Sequence, residues 1–228
     1  PGLKNFNEIN KIKKLKNNMI LMFGYIYTFN NNIKFIKKFV KNKKNGKILY
    51  INFQRQNLGP IRNDVNVSYD LSSHDLSILY YLFNKLPKKI SSNSHPILKK
   101  NISDISNLSF KLKNFFVDIN NSWLNPDKIR RITIISEKKM LLFDEMNLKH
   151  KIKIFNKYAT YPKISDFDNK FFNKKAKIYE GTNFTLKIKQ NDSLQDELKY
   201  FFNCVKENKK PITDINFATQ ILKCLKGV

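Results

Sequence analysis

Asp70 and His74 lie four residues apart in the run L-G-P-I-R-N-D-V-N-V-S-Y-D-L-S-S-H-D-L-S-I-L-Y-Y-L-F-N-K-L-P, residues 58–87. On a helix that spacing projects both side chains from one face, one above the other. An imidazole titrates near neutrality, and a neighbouring carboxylate orients it and raises its pKa, so the pair has the composition of an acid/base couple. The same spacing suits a pair of metal ligands, or a solvated cap beside a satisfied histidine. Spacing alone leaves all three open. Leu71, Ile78, Leu79, Leu82 and Phe83 recur at helical intervals and give the segment a side to bury.

Arginine is the second informative residue type. The chain carries 43 basic residues and a net charge of +25, yet only Arg55, Arg62, Arg130 and Arg131 are arginines. Lys, Asn, Ile and Phe are the residues AT-rich codons specify, so coding bias explains the charge as well as phosphate binding does. The lysines are spread along the chain, and Trp123 is the only tryptophan, which argues against a stacking platform for single strands. Where bias drives basic residues to Lys, an Arg carries more information. Arg55, near a strand end, and Arg62, in the G-P-I-R loop, are candidates to hold an anionic substrate group through a planar fork.

The elements that would position these groups follow from periodicity. Residues 2–17 carry Leu3, Phe6, Ile9, Ile12 and Leu15 at three-residue steps and predict an amphipathic helix. Residues 18–27 form a nearly continuous apolar run, the signature of a strand buried on both faces. A surface helix is expected over 30–42, a turn at Asn45-Gly46, and a strand over 47–56. A strand near 88–94 follows the Asp70–His74 helix, with His95 in a loop. Strands over 104–112, 114–122, 130–136, 140–143 and 151–155 then predict an antiparallel sheet with one covered face. Residues 156–179 read as a loop, 182–189 as a last strand, and 193–208 and 216–226 as closing helices. Ser193 is the expected N-cap of the first of these, with Leu194, Leu198, Phe201, Phe202 and Val205 on one face. Asp144-Glu145 reads as a turn, and no metal site is expected. Cys204 and Cys224 read as unpaired thiols of a reducing compartment. No run of about 18 apolar residues suggests a membrane span.

The segment around Asp70 and His74 resembles the Gfo/Idh/MocA oxidoreductases, especially the branch acting on nucleotide-linked amino sugars, the UDP-N-acetylglucosamine/-glucosaminuronate 3-dehydrogenase type. S-W-L-N-P-D-K-I-R-R-I-T-I-I-S-E-K-K-M-L-L-F-D-E-M resembles the same family's S-W-L-x-P-x-K-x-R run and the strand pair after it. S-L-Q-D-E-L-K-Y-F-F resembles its P-L-x-x-E-x-x-x-F helix, K-K-P-I-T-D its P-x-[TS]-D turn, and Gly24-Tyr25 its V-G-[FHY] strand end. Pro1 resembles the Pro of an E-K-P motif at the cofactor side of the site. The likeness runs from Pro1 to about Lys226.

The resemblance implies an α/β protein. A large, mostly antiparallel sheet with helices on one face (residues 29–228) would follow a remnant helix and strand of a Rossmann domain (residues 1–28). It implies hydride transfer from a sugar carbon to NAD or NADP. Asp70 and His74 would then be catalytic, and Tyr27, Asn30, Arg55 and Arg62 would face a sugar or nucleotide-sugar substrate. A homo-oligomer formed through the open sheet face, in the cytoplasm, is implied as well. The chain has no G-x-G-x-x-G and only 6 Gly in 228 residues, so the dinucleotide fingerprint is missing. The expectation is therefore a C-terminal piece of a dehydrogenase, or a truncated or degraded gene product. The alternatives are a non-catalytic structural or interaction protein on the same fold, and a Lys-rich nucleic-acid-binding module.

Overall fold

The alternation in I-L-Y-I-N-F-Q-R-Q-N-L builds the strand at the middle of the fold. The computed structural model describes residues 6–14, 19–160 and 176–226. In it β1 (Ile48–Leu58) turns Ile51, Phe53 and Arg55 to one face and leaves Tyr50, Asn52 and Gln54 on the other. β2 (Ser91–His95), β3 (Ile105–Leu112), β4 (Phe115–Ser122), β5 (Leu124–Ser136), β6 (Met140–Asp144), β7 (Ile152–Thr160) and β8 (Lys177–Leu186) join it. The sheet order is β2-β3-β4-β1-β5-β6-β7-β8. Among these described strands only the β1–β4 pair is parallel, and every other neighbour runs antiparallel.

Among the described residues five α-helices accompany the sheet: α1 (Phe6–Lys14), α2 (Asn31–Lys41), α3 (Ser73–Phe83), α4 (Ser193–Lys206) and α5 (Ile215–Leu225). Ile33 and Ile36 of α2, Leu76, Ile78 and Leu79 of α3, and Ile221 and Leu222 of α5 share one apolar cluster with Ile51, Phe53, Val117, Ile119 and Ile134 of the sheet. Burying each such side chain contributes roughly 1.5–3 kcal/mol, so this layer contact dominates the stability of the fold. Asn30 caps α2 by accepting from the Asn32 and Ile33 N–H groups, and Asp214 caps α5 by accepting from Phe217 N–H. The expected fold class, a mixed α/β chain with a mostly antiparallel sheet and helices, is the one observed.

Several local expectations are corrected. The strand expected over 18–27 does not form: 19–25 are irregular and Ile26–Phe29 is a 3-10 turn. A buried strand needs a neighbour on its hydrogen-bonding edges. Here the backbone bond leaving the segment runs from Phe23 N–H to the Thr213 carbonyl, 2.8 Å. The expected loop over 156–179 holds the end of β7 and the start of β8, while 161–175 lie outside the described residues. His95 ends β2 rather than lying in a loop. The N-cap of α4 is Asp192, one residue before Ser193, accepting from Leu194 and Gln195 N–H. The apolar stripe of α4 does not face inward: Leu194, Leu198, Phe202 and Val205 are between 52% and 69% exposed. The helix is held instead by its other side, where Glu197 and Cys204 are buried and Tyr200 packs on Phe29 at 5.2 Å between ring centroids.

Candidate active site

The site forms where β1 leaves the sheet. Gly59 takes a positive φ of 63°, a conformation that favours glycine, and its N–H donates to the Trp123 carbonyl at 2.9 Å. Beyond the following loop the chain enters a π-turn, Ser68–Ser72, and then α3. Asp70 sits on the wide turn and His74 on the first turn of the α-helix. Opposite them, the β1–β5 register shifts between Gln56 and Leu58. Such an irregularity bends a strand and re-aims its side chains, here around Pro126 and Lys128. The result is a cleft of about 440 Å³ whose lining includes Asp70, His74, Trp123, Pro126, Lys128 and Arg130. A hollow of about 500 Å³ between α2, α3 and β4 is larger, but its lining of Lys41, Lys47, Lys113 and apolar side chains offers no acid/base pair.

No hydrogen bond joins Asp70 to His74. The Asp70 carboxylate accepts from the Trp123 indole N–H at 3.2 Å and from Arg62 at 3.3 Å. His74 meets the Tyr27 ring edge-on, with centroids 5.8 Å apart, and its Nδ1 is buried without a hydrogen-bond partner. The sequence predicts a His74 pKa raised by the carboxylate, and the structure corrects this. Burial, with the positive charges of Arg55 and Arg130, lowers the pKa from 6.5 to about 3. At neutral pH the imidazole is uncharged, and the same surroundings oppose its taking up a proton.

A buried polar chain runs behind the cleft. Arg55 donates to Asp75 Oδ1 from Nε (3.1 Å) and Nη2 (2.8 Å), and to the Tyr27 hydroxyl from Nη1 (2.8 Å). Tyr27 in turn donates to Glu145 Oε2 at 2.9 Å, and Arg130 reaches the same oxygen at 3.5 Å. Burial opposes the Arg55 charge, but Asp75 and Tyr27 outweigh it and raise its pKa. Burial also raises the Tyr27 pKa, against the charge of Arg55, so the phenol keeps its proton.

Asp70 and His74 thus line one cleft. Tyr27 and Arg55 lie in the buried chain behind it, 6% exposed each. Arg62 is on the exposed loop, bonded to Asp64 and Asp70. Asn30 is engaged as the cap of α2. Pro1 lies outside the described residues. Among the described residues no cluster of three or more His, Cys, Asp or Glu is placed to hold a metal. Sequence reasoning missed Lys128 and Arg130 in the lining and Asp75 and Glu145 behind it. The available signal was the K-x-R spacing after Trp123, which sends two cations along one strand.

No family model matches the chain, and no curated protein matches it. Solved structures do. UDP-N-acetylglucosamine 3-dehydrogenase GnnA from Acidithiobacillus ferrooxidans superposes with a TM-score of 0.77 at 16% identity, over 100% of this chain and 67% of that one. A dehydrogenase (MviM) from Clostridium difficile gives 0.65 at 19% identity, over 96% and 64%. An aldose-aldose oxidoreductase from Caulobacter crescentus, complexed with glycerol, gives 0.72 at 12% identity, over 96% and 63%. The chain spans about two thirds of the length of these structures, or slightly less. At the level of fold, the chain therefore matches the Gfo/Idh/MocA-type oxidoreductases that its sequence resembles.

Proposed function

We propose that this chain is the substrate-binding part of an NAD(P)-dependent oxidoreductase acting on a sugar or nucleotide-linked sugar. The observation that carries the reading is the cleft in which an uncharged, half-buried His74 and the Asp70 carboxylate stand together, on a fold shared with sugar-acting oxidoreductases. In it the uncharged His74 accepts a hydrogen bond from the reacting sugar hydroxyl and orients it. Asp70, held by Trp123 and Arg62, accepts a hydrogen bond from a second hydroxyl. Tyr27 and Arg55 act from behind by fixing Arg130 and α3, Arg62 holds Asp70 from the exposed loop, and Asn30 acts through the start of α2 that it caps.

NAD or NADP does not fit the residues present. A dinucleotide needs a glycine-rich turn between a strand and a helix N-terminus, and no described strand is followed by one. In this proposal the dinucleotide is held by residues other than those described, and the roles above concern this chain alone. Residues 1–28 belong to that nucleotide-binding unit and 29–228 to the substrate unit. The open sheet face around Tyr50, Asn52 and Asp118 is the surface assigned to self-association. Cys204 and Cys224, both buried and unpaired, suit a reducing cytoplasm. No described helix is long and apolar enough to cross a membrane.

Trp123, the only tryptophan, provides the test because it lines the cleft. Titration with UDP-N-acetylglucosamine is expected to change its fluorescence saturably, and His74→Ala to weaken the response at least about tenfold. An unresponsive tryptophan at millimolar ligand would favour the second reading, a non-catalytic protein on the same fold.

A further inference from the structure

We infer that Lys128 and Arg130 form an anion-recognition subsite in the Asp70–His74 cleft, taking a carboxylate or phosphate group carried by the sugar. The inference rests on the proposed sugar-binding role of that cleft. Three observations carry it. First, the arginine expected to meet an anion, Arg55, is committed: Asp75 and Tyr27 take its donors, and it is 6% exposed. Second, the two cations that line the cleft both come from β5, two residues apart, beside the irregular register with β1. Third, Lys128 is exposed and unpaired among the described residues, and Arg130 is held by one long ion pair, to Glu145 at 3.5 Å.

That Glu145 oxygen already accepts from Tyr27 at 2.9 Å, and the Arg130 Nε is buried with no hydrogen-bond partner. Arg130 meets Glu145 through Nη1, so it is Nη2, with no hydrogen bond among the described residues, and not the buried Nε that remains for a ligand. The carboxylate in the same lining, Asp70, is offset by Arg62 at 3.3 Å and by the Trp123 indole at 3.2 Å. With His74 uncharged, the cleft has one more positive than negative lining charge. With 39 lysines in the chain, a lysine near any hollow is unremarkable, but Arg130 is one of only four arginines. A planar fork beside a flexible ammonium suits a two-oxygen anion better than either group alone.

Calorimetric titration of the full chain with D-glucose, D-glucuronate, glucose 1-phosphate and inorganic phosphate tests this. An anionic sugar is expected to bind about tenfold or more tighter than glucose, and Lys128→Met to reduce that ratio to about twofold. Glucuronate alone showing the advantage assigns the subsite to a sugar carboxylate, and glucose 1-phosphate alone assigns it to a phosphate ester. Arg130→Lys, which keeps the charge and removes the fork, is expected to lower the ratio as well. Equal binding of glucose and both anionic sugars overturns the subsite and leaves the sugar cleft standing. Inorganic phosphate binding without any sugar supports the subsite and removes the sugar reading. Binding of none of the four overturns both.

Discussion

Arg55 of β1 and Asp75 of α3 meet at 2.8 Å in the interior, one residue along the chain from His74. Their side chains are 7% and 2% exposed, so neither charge has water to fall back on. Removing one partner leaves the other buried and unpaired. Asp75→Ala is expected to destabilise the chain by about 3–5 kcal/mol, and the double change Arg55→Met with Asp75→Leu to recover much of that loss. Urea melts of the three proteins measure it. A double variant as unstable as Asp75→Ala would show that the pair is a net source of stability.

His74 makes the stability depend on pH in a defined direction. Its folded pKa is lowered to about 3 from an unfolded value of 6.5. Between those values the unfolded chain binds a proton that the folded chain does not, so stability falls as pH drops from 6.5 toward 3 and is unaffected by this group above 6.5. Replacing His74 by Gln is expected to flatten that part of the profile. Chemical melts across the window in both proteins check it, and parallel profiles would contradict the buried, uncharged imidazole.

The contact between Trp123 and Asp70 gives an optical signal. The indole N–H donates to the carboxylate, so Asp70→Ala is expected to shift the emission of the only tryptophan without unfolding the chain. Circular dichroism controls for folding. An unchanged emission spectrum would mean that the hydrogen bond does not form in solution.

The two apolar surfaces that look alike in sequence are expected to respond in opposite ways. Phe202→Ser on the exposed stripe of α4 should change stability by less than about 0.5 kcal/mol. Ile51→Ala, at a side chain with no exposed surface, should cost about 2–5 kcal/mol. Denaturant midpoints of the pair decide it, and a large loss from Phe202→Ser would place that side chain inside a packed interface.

Alternation makes β1 and the strands from β3 to β7 legible in the sequence, because each has a covered and an open face. The spacing of Asp70 and His74 leads to the cleft for a similar reason, since a helix start fixes both side chains. The apolar run over 18–27 reads as a strand because periodicity reports burial but not whether a partner edge lies beside it. The α4 stripe fails in the opposite way: its apolar spacing is helical, but spacing does not say which side meets the sheet. The chain of Arg55, Tyr27 and Glu145 was beyond sequence reasoning because Tyr27 and Glu145 are 118 positions apart. Scarcity did mark the arginines usefully: Arg55, Arg62, Arg130 and Arg131 all form ion pairs.

The most direct test of the central claim is a crystal structure of the chain with a sugar ligand bound. The account predicts a ring in the Asp70–His74 cleft, with one hydroxyl about 2.6–3.2 Å from an imidazole nitrogen of His74. A sugar seated elsewhere, such as the hollow beside Met19 and Lys210, with the His74 cleft filled by water, would contradict it.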